Sequence, residues 1–214
     1  VLGPQVFEGN FAFNTIWTGL KAEGGGVVST RAGAGTIFVL PNGAAWGTLI
    51  IDNASATNAT ANTTTLVALT GGTIQSLPAN NTILDASANF LENTFVGSYL
   101  NPDVAQGLAN RRVDDTIFPI VANGIQTVTA DSNISSIAAA GKTYRGIIRV
   151  NNLEIRGGAR VSMPGDIVVL EGDLHSGNTT TFELVSGTTL TVNVLDLNTG
   201  AKTGAGTVTG TVVP

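Results

Sequence analysis

The chain has 214 residues, enough to bury the core of one large β domain or two small ones without help from a cofactor or a disulfide. Charged residues make up 12% of it, about half the usual ~25% for a soluble domain. The net charge of −5 and a pI near 4.7 exclude a phosphate-binding surface, because the only lysines are Lys21, Lys142 and Lys202, and the basic pair Arg111-Arg112 is followed by Asp114-Asp115.

Cysteine is absent, which removes disulfides and thiolate metal sites, and no apolar run approaches the ~18 residues of a membrane-spanning helix. With 27 Gly, 29 Thr and 19 Asn, the surface reads as neutral and rich in hydroxyls. Such a surface packs against copies of itself without burying many unpaired charges, each of which costs several kcal/mol. The sequence opens on Val1 rather than Met, without a charged and apolar leader, which reads as a mature, processed chain or equally as an excised piece of a longer one.

Residues 5–17 form the first expected strand, with Phe7, Phe11, Phe13 and Trp17 on one face. This aromatic row suits either the core of its own domain or a donor strand that completes the sheet of a neighbouring subunit. Residues 1–23 are set apart as this extended segment, and 24–214 as one β-rich domain with a subdivision near 113–123. After Gly24-Gly25-Gly26, strand-like runs follow at VVST, GTIFVL, TLIID, TTLVAL and TIQSL, with turns at Pro41-Asn42-Gly43 and Gly71-Gly72. Residues 53–65 are polar and of low complexity, an exposed loop or solvated edge.

Asn101-Pro102 offers a cap followed by proline at the first helical position, which predicts one short helix over residues 102–112 with Val104, Leu108 and Ala105 toward the core. Beyond it, QTVTA, SSIAA, GIIRV, NLEI, ARVSM, DIVVL, TFELV, LTVNVLDL and TVTGTVV recur as strand-length runs between Gly, Asn, Asp or Thr turns. Residues 144–166, 167–189 and 190–210 form units of comparable length, each suited to one coil of a parallel β-solenoid; a β-sandwich or jelly roll accounts for the same text. Over residues 124–214 the cadence resembles the β-helical surface proteins of microbes and viruses, such as adhesin passengers and tail-fibre or tailspike shafts. That resemblance implies an all-β fold and an extracellular or virion-surface location.

Chemistry is sparse. Glu171, Asp173 and the single histidine, His175, fall on one face of a strand, and the two carboxylates suit Ca²⁺, a cation that takes oxygen ligands. The same carboxylates are where a glycosidase would be sought, but the two tryptophans, Trp17 and Trp46, lie far off in sequence. No nucleophile elbow accompanies His175, and the Gly-rich tracts lack the Lys-Ser or Lys-Thr of a phosphate loop. Six glycosylation sequons start at Asn53, Asn58, Asn62, Asn80, Asn133 and Asn178.

These features point to a non-enzymatic structural subunit of an extracellular homopolymer, whose partners are copies of itself and glycans rather than nucleic acid or a membrane. The second expectation is a virion or phage surface component, and the third a β-helical protein that binds or cleaves carbohydrate. No cofactor other than Ca²⁺ is expected.

Overall fold

A computed structural model describes residues 34–44, 46–53, 63–106, 117–169, 175–176, 180–196 and 201–213. They are all β: β1 (Thr36–Val39), β2 (Thr48–Asp52), β3 (Thr64–Thr65), β4 (Gly72–Thr73), β5 (Ser76–Ala79), β6 (Thr82–Leu84), β7 (Tyr99–Asn101), β8 (Phe118–Asn123), β9 (Thr127–Ala130), β10 (Thr143–Val150), β11 (Asn152–Arg156), β12 (Arg160–Met163), β13 (Asp166–Val169), β14 (His175–Ser176), β15 (Thr181–Leu184), β16 (Thr189–Asp196), β17 (Ala201–Thr203) and β18 (Thr207–Val213).

From β10 onward, short runs that alternate apolar and polar residues lie between tight turns, so each run extends and then changes direction. One such corner is Gly157-Gly158, whose positive φ angles of 66° and 75° favour glycine. β10, β11 and β12 enter three different sheets in turn. β13 then returns parallel to β10, β14 to β11 and β15 to β12, and the sequence continues with β16 beside β13, β17 beside β15 and β18 beside β16. Paired residues in these strands lie 17 to 23 positions apart, as in Leu195↔Val212 and Ile167↔Leu190, close to the expected unit length. β2 and β3 add an earlier layer, parallel to β11 and β12, and β1 pairs antiparallel with β2.

Parallel, in-register pairing places like residues over one another at the ~4.8 Å strand spacing. Leu49 lies beside Leu153, Ile51 beside Ile155, Val161 beside Phe182 and Met163 beside Leu184. These side chains, with Ile167, Val169, Leu190, Val192 and Leu195, make one continuous buried core. Each contributes roughly 1.5–3 kcal/mol of transfer free energy.

Residues 66–142 lie between β3 and β10 and add antiparallel strands to β10, in the order β7, β8, β9, β6, β5, while β4 pairs with the start of β10. Leu69, Ile74, Ile83, Leu100, Ile120, Val128, Ile134 and Tyr144 form a second core. The two cores meet along β10, where Tyr144 belongs to one and Val150 to the other. Gly146 permits the junction: its N–H donates to the Leu69 carbonyl at 2.9 Å, and a Cβ at this position would overlap the Leu69 side chain.

Two local expectations need correction. The described part of the expected 102–112 helix is a single 3₁₀ turn, Val104–Gln106, with no buried residue and with Ala105 exposed. Its cause is local: Asn101 Oδ1 accepts from the Asp103 N–H and Asp103 Oδ1 from the Ala105 N–H, so side chains satisfy amides in a turn without help from a following helix. Residues 107–112, including Leu108, lie outside the described residues. The SSIAA run is a turn over residues 135–137 rather than a strand, because Ile137 and Ala138 donate back to the Ile134 carbonyl. The subdivision expected near 113–123 falls partly outside the described residues, and 118–123 is β8 within the inserted sheet. Among the described residues no helix is long and apolar enough to cross a membrane.

Candidate assembly surfaces

Among the described residues the three sheets end on six strands, β1 and β14, β18 and β5, and β17 and β3. Among the described residues β18 pairs only with β16, β17 only with β15, and β1 only with β2, so each has one edge of N–H and C=O groups without a strand partner. β18 carries no charge. Thr207, Thr209, Thr211 and Val212 are exposed, and half-buried Val208 packs against the end of the main core. On β17 the ammonium of Lys202 folds back onto the carbonyls of Gly204 and Gly206, at 3.2 and 2.7 Å, which draws its charge away from the edge. At the other end Phe38 and Leu40, on and just after β1, are 54% and 55% exposed.

A further apolar surface lies on the inserted sheet. Leu91, Val96, Val121 and Ile125 are exposed, and the chain from 90 to 98 is held along β8 by Asn123. The buried Asn123 side chain donates to the Leu91 carbonyl at 2.8 Å and accepts from the Phe95 N–H at 3.0 Å, while the backbone of Phe90 donates to Ile125. Phe90 and Phe95 meet edge to face, 5.3 Å between centroids, underneath.

Several of the described charged groups tie strands of the fold together. Arg145 reaches from β10 to Asp166 on β13 at 3.3 Å and to the Gly187 carbonyl, and the same Asp166 oxygen accepts the Thr189 N–H at 2.9 Å. One arginine and one nearly inaccessible carboxylate thus tie three successive strands of the stack. Arg156 pairs with Asp52 on the neighbouring strand at 3.2 Å and with Glu154 at 3.1 Å. Arg149 lies 3.8 Å over the Trp46 ring and 5.5 Å from that of Tyr99, whose hydroxyl accepts from the indole N–H.

Where the insertion meets β10, the buried Tyr144 hydroxyl donates to Asp85 at 2.8 Å. Burial raises the Asp85 pKa, but hydrogen bonds from Ser87, Tyr144 and the Thr73 backbone outweigh it and hold the carboxyl below its ordinary value. Burial first, then the facing carboxylate, pushes the Tyr144 phenol well above its own ordinary value. Asp103 is lowered chiefly by its hydrogen bond from Lys142, 2.7 Å away.

Phe7, Phe11, Phe13 and Trp17, the expected assembly row, lie outside the described residues, as do the metal candidates Glu171 and Asp173 and the sequons at Asn58, Asn62 and Asn178. The backbone of His175 is on β14, opposite Glu154 on β11. Among the described residues no group of three metal-ligating side chains converges. Asn53 is 5% exposed at the end of β2, with its N–H bonded to the Arg156 carbonyl. Asn80 and Asn133 are exposed.

The sequence reading missed the Trp46–Arg149 stack, the Asp85–Tyr144 contact and the exposed patch around Asn123. Their residues are tens of positions apart and share no local pattern; only the excess of apolar residues in 90–97 hinted at the patch. Compared with known proteins, the chain matches no family model, no curated protein and no solved structure.

Proposed function

We propose that this chain is a structural subunit of an extracellular homopolymer, a filament, sheath or surface layer assembled through β contacts. The observation that carries the reading is the uncharged edge of β18, which among the described residues has no strand partner on its outer side, at the end of a parallel stack. We read that stack as coils of a β-solenoid, in which each coil is the template for the next. An edge of this kind can accept a strand from another copy at no cost in buried charge. The internal use of Arg145, Arg149 and Arg156, and the turn of Lys202 onto carbonyls of its own loop, support the same reading.

The donor in this proposal is residues 5–17 of a neighbouring copy, with Phe7, Phe11, Phe13 and Trp17 as anchors. Aromatic side chains bury roughly 150–250 Å² each, enough to outweigh the ordering cost of one strand. The test is to delete residues 1–20 and compare assembly with the full chain by negative-stain microscopy at native concentration. The expected result is folded, β-rich subunits that no longer polymerise. Unchanged assembly, or complete loss of fold, counts against the donor role, and closed particles from the full chain would favour a virion component instead. The subunit is further proposed to be non-catalytic and to hold no metal other than Ca²⁺; sugar cleavage abolished by Glu171→Ala with Asp173→Ala, or stoichiometric zinc in elemental analysis, would refute these points.

A further inference from the structure

The strand order of the ten-stranded sheet runs from β18 at one end to β5 at the other. At the β5 end two sequons converge. Asn80 begins Asn80-Asn81-Thr82 in the turn between β5 and β6, and Asn133 begins Asn133-Ile134-Ser135 just after β9. Far apart in sequence, they meet because the Asn80 carbonyl accepts the Ile134 N–H at 2.8 Å and the Asn81 carbonyl accepts the Ala130 N–H at 2.8 Å. The Asn81 side chain closes the corner by donating to the Ala130 carbonyl at 3.0 Å.

We propose that Asn80 and Asn133 are a paired N-glycosylation site covering the β5 end of the sheet. Both asparagines are exposed, whereas the core side of the corner is filled by buried Ile83, Val128 and Ile134. At Asn133 the local geometry is favourable as well: Oδ1 accepts from both the N–H and the hydroxyl of Ser135, at 2.9 and 2.8 Å, which joins the acceptor amide to the hydroxyl two residues on and leaves the amide nitrogen outside those bonds. That nitrogen is the nucleophile. The donor is a polyprenyl-diphosphate-linked oligosaccharide, acted on by a membrane transferase as the chain is exported. The bond from C1 of the first sugar to the diphosphate oxygen breaks, the bond from C1 to the asparagine nitrogen forms, the amide gives up one proton, and the polyprenyl diphosphate leaves.

Two flexible, hydrated glycans at this corner would obstruct strand addition at β5 and leave β18 as the accessible end. The modification requires only that the chain be exported; the shielding consequence rests on the assembly proposed above. The experiment is to secrete the full chain from a eukaryotic host and map occupied sites by peptide mass spectrometry after glycan removal, which converts each occupied asparagine to aspartate. Asn80 and Asn133 are expected to be occupied in the same molecules and Asn53 unoccupied, with Asn80→Gln and Asn133→Gln each removing one glycan and Ser135→Ala abolishing occupancy at Asn133 alone. Unmodified Asn80 and Asn133, whatever occurs at the other sequons, overturns the proposal, as does occupancy of Asn53 in folded protein. Failure to form filaments would not alter these maps, and occupied sites would not rescue a subunit that fails to polymerise.

Discussion

Asp85 and Tyr144 show how a single contact can make the junction between insertion and stack sensitive to pH at both extremes. The Asp85 carboxyl titrates below its ordinary value of 3.8 in the folded chain, so its contribution is present above that value and is lost as pH falls through the lower folded value. The Tyr144 phenol is raised above 10.0, so the folded state keeps a proton that the unfolded chain releases; stability is full below about 10 and declines as pH rises beyond it. Thermal unfolding from pH 2 to 12 should therefore show losses at both ends. Tyr144→Phe should flatten the alkaline loss and lower stability throughout by about 1–3 kcal/mol, because a nearly inaccessible carboxylate loses a donor. An alkaline limb unchanged in that variant would show that another group controls it. Thr191 makes the opposite case. It is 4% exposed on β16, and among the described residues its hydroxyl has no hydrogen-bond partner. Thr191→Val removes the unmet polar group at nearly constant shape and should raise the melting temperature, by an amount equivalent to about 1 kcal/mol; a lower melting temperature would mean the hydroxyl is satisfied in solution.

Among elements, β10, β13 and β16 are joined by more than their ladders. Asp166 on β13 accepts both from Arg145 on β10 and from the first residue of β16, so Asp166→Ala would leave a half-buried guanidinium and a backbone N–H without their acceptor. A loss of about 2–4 kcal/mol in denaturant unfolding is expected, reduced from the full value of a buried pair because Arg145 keeps some access to water. Asp166→Asn, which keeps an acceptor for Thr189, should lose less, and equal losses would argue that the charge matters more than the backbone bond. The strands of this region were legible because their pattern is local: in TFELV Phe182 and Leu184 are buried and Glu183 is exposed, in DIVV Ile167 and Val169 join the main core while Val168 is buried in a separate cluster, and each run pairs with another about one unit away. The parallel direction was legible only as one of two options, since alternation is the same whichever way the neighbour runs. In the insertion QTVTA was legible as a strand and is β9, and TIQSL overlaps β4 and β5, but the rest was not. Its core draws on Leu69, Ile74, Ile83, Leu100, Ile120 and Ile134, held by turns and side-chain bonds such as those of Asn123, with no repeating period to reveal them. The assembly row at Phe7, Phe11, Phe13 and Trp17 and the carboxylates at Glu171 and Asp173 were legible as patterns, but they lie beyond the described residues.

For the molecule as a whole, the pairing of β2 with β11 has a consequence for the order in which the chain folds. Leu49 lies beside Leu153, 104 residues later, whereas partners within β10 to β18 are 17 to 23 residues apart. Contacts between distant residues form late because the intervening loop must be closed before they return any free energy. The insertion shortens that search: once residues 66–142 have folded, the Leu69 carbonyl is already bonded to Gly146, and the two ends of the loop are close. Pulse-labelled hydrogen exchange during refolding should find the amides of β10 and β13 protected before those of β2, and simultaneous protection would indicate a single closing step instead. Until β2 arrives, the parallel edge of β11 stands open with Leu153 and Ile155 at its flank. The nascent molecule is then briefly double-ended, and the rate at which β2 docks limits how long a second chain has to take its place.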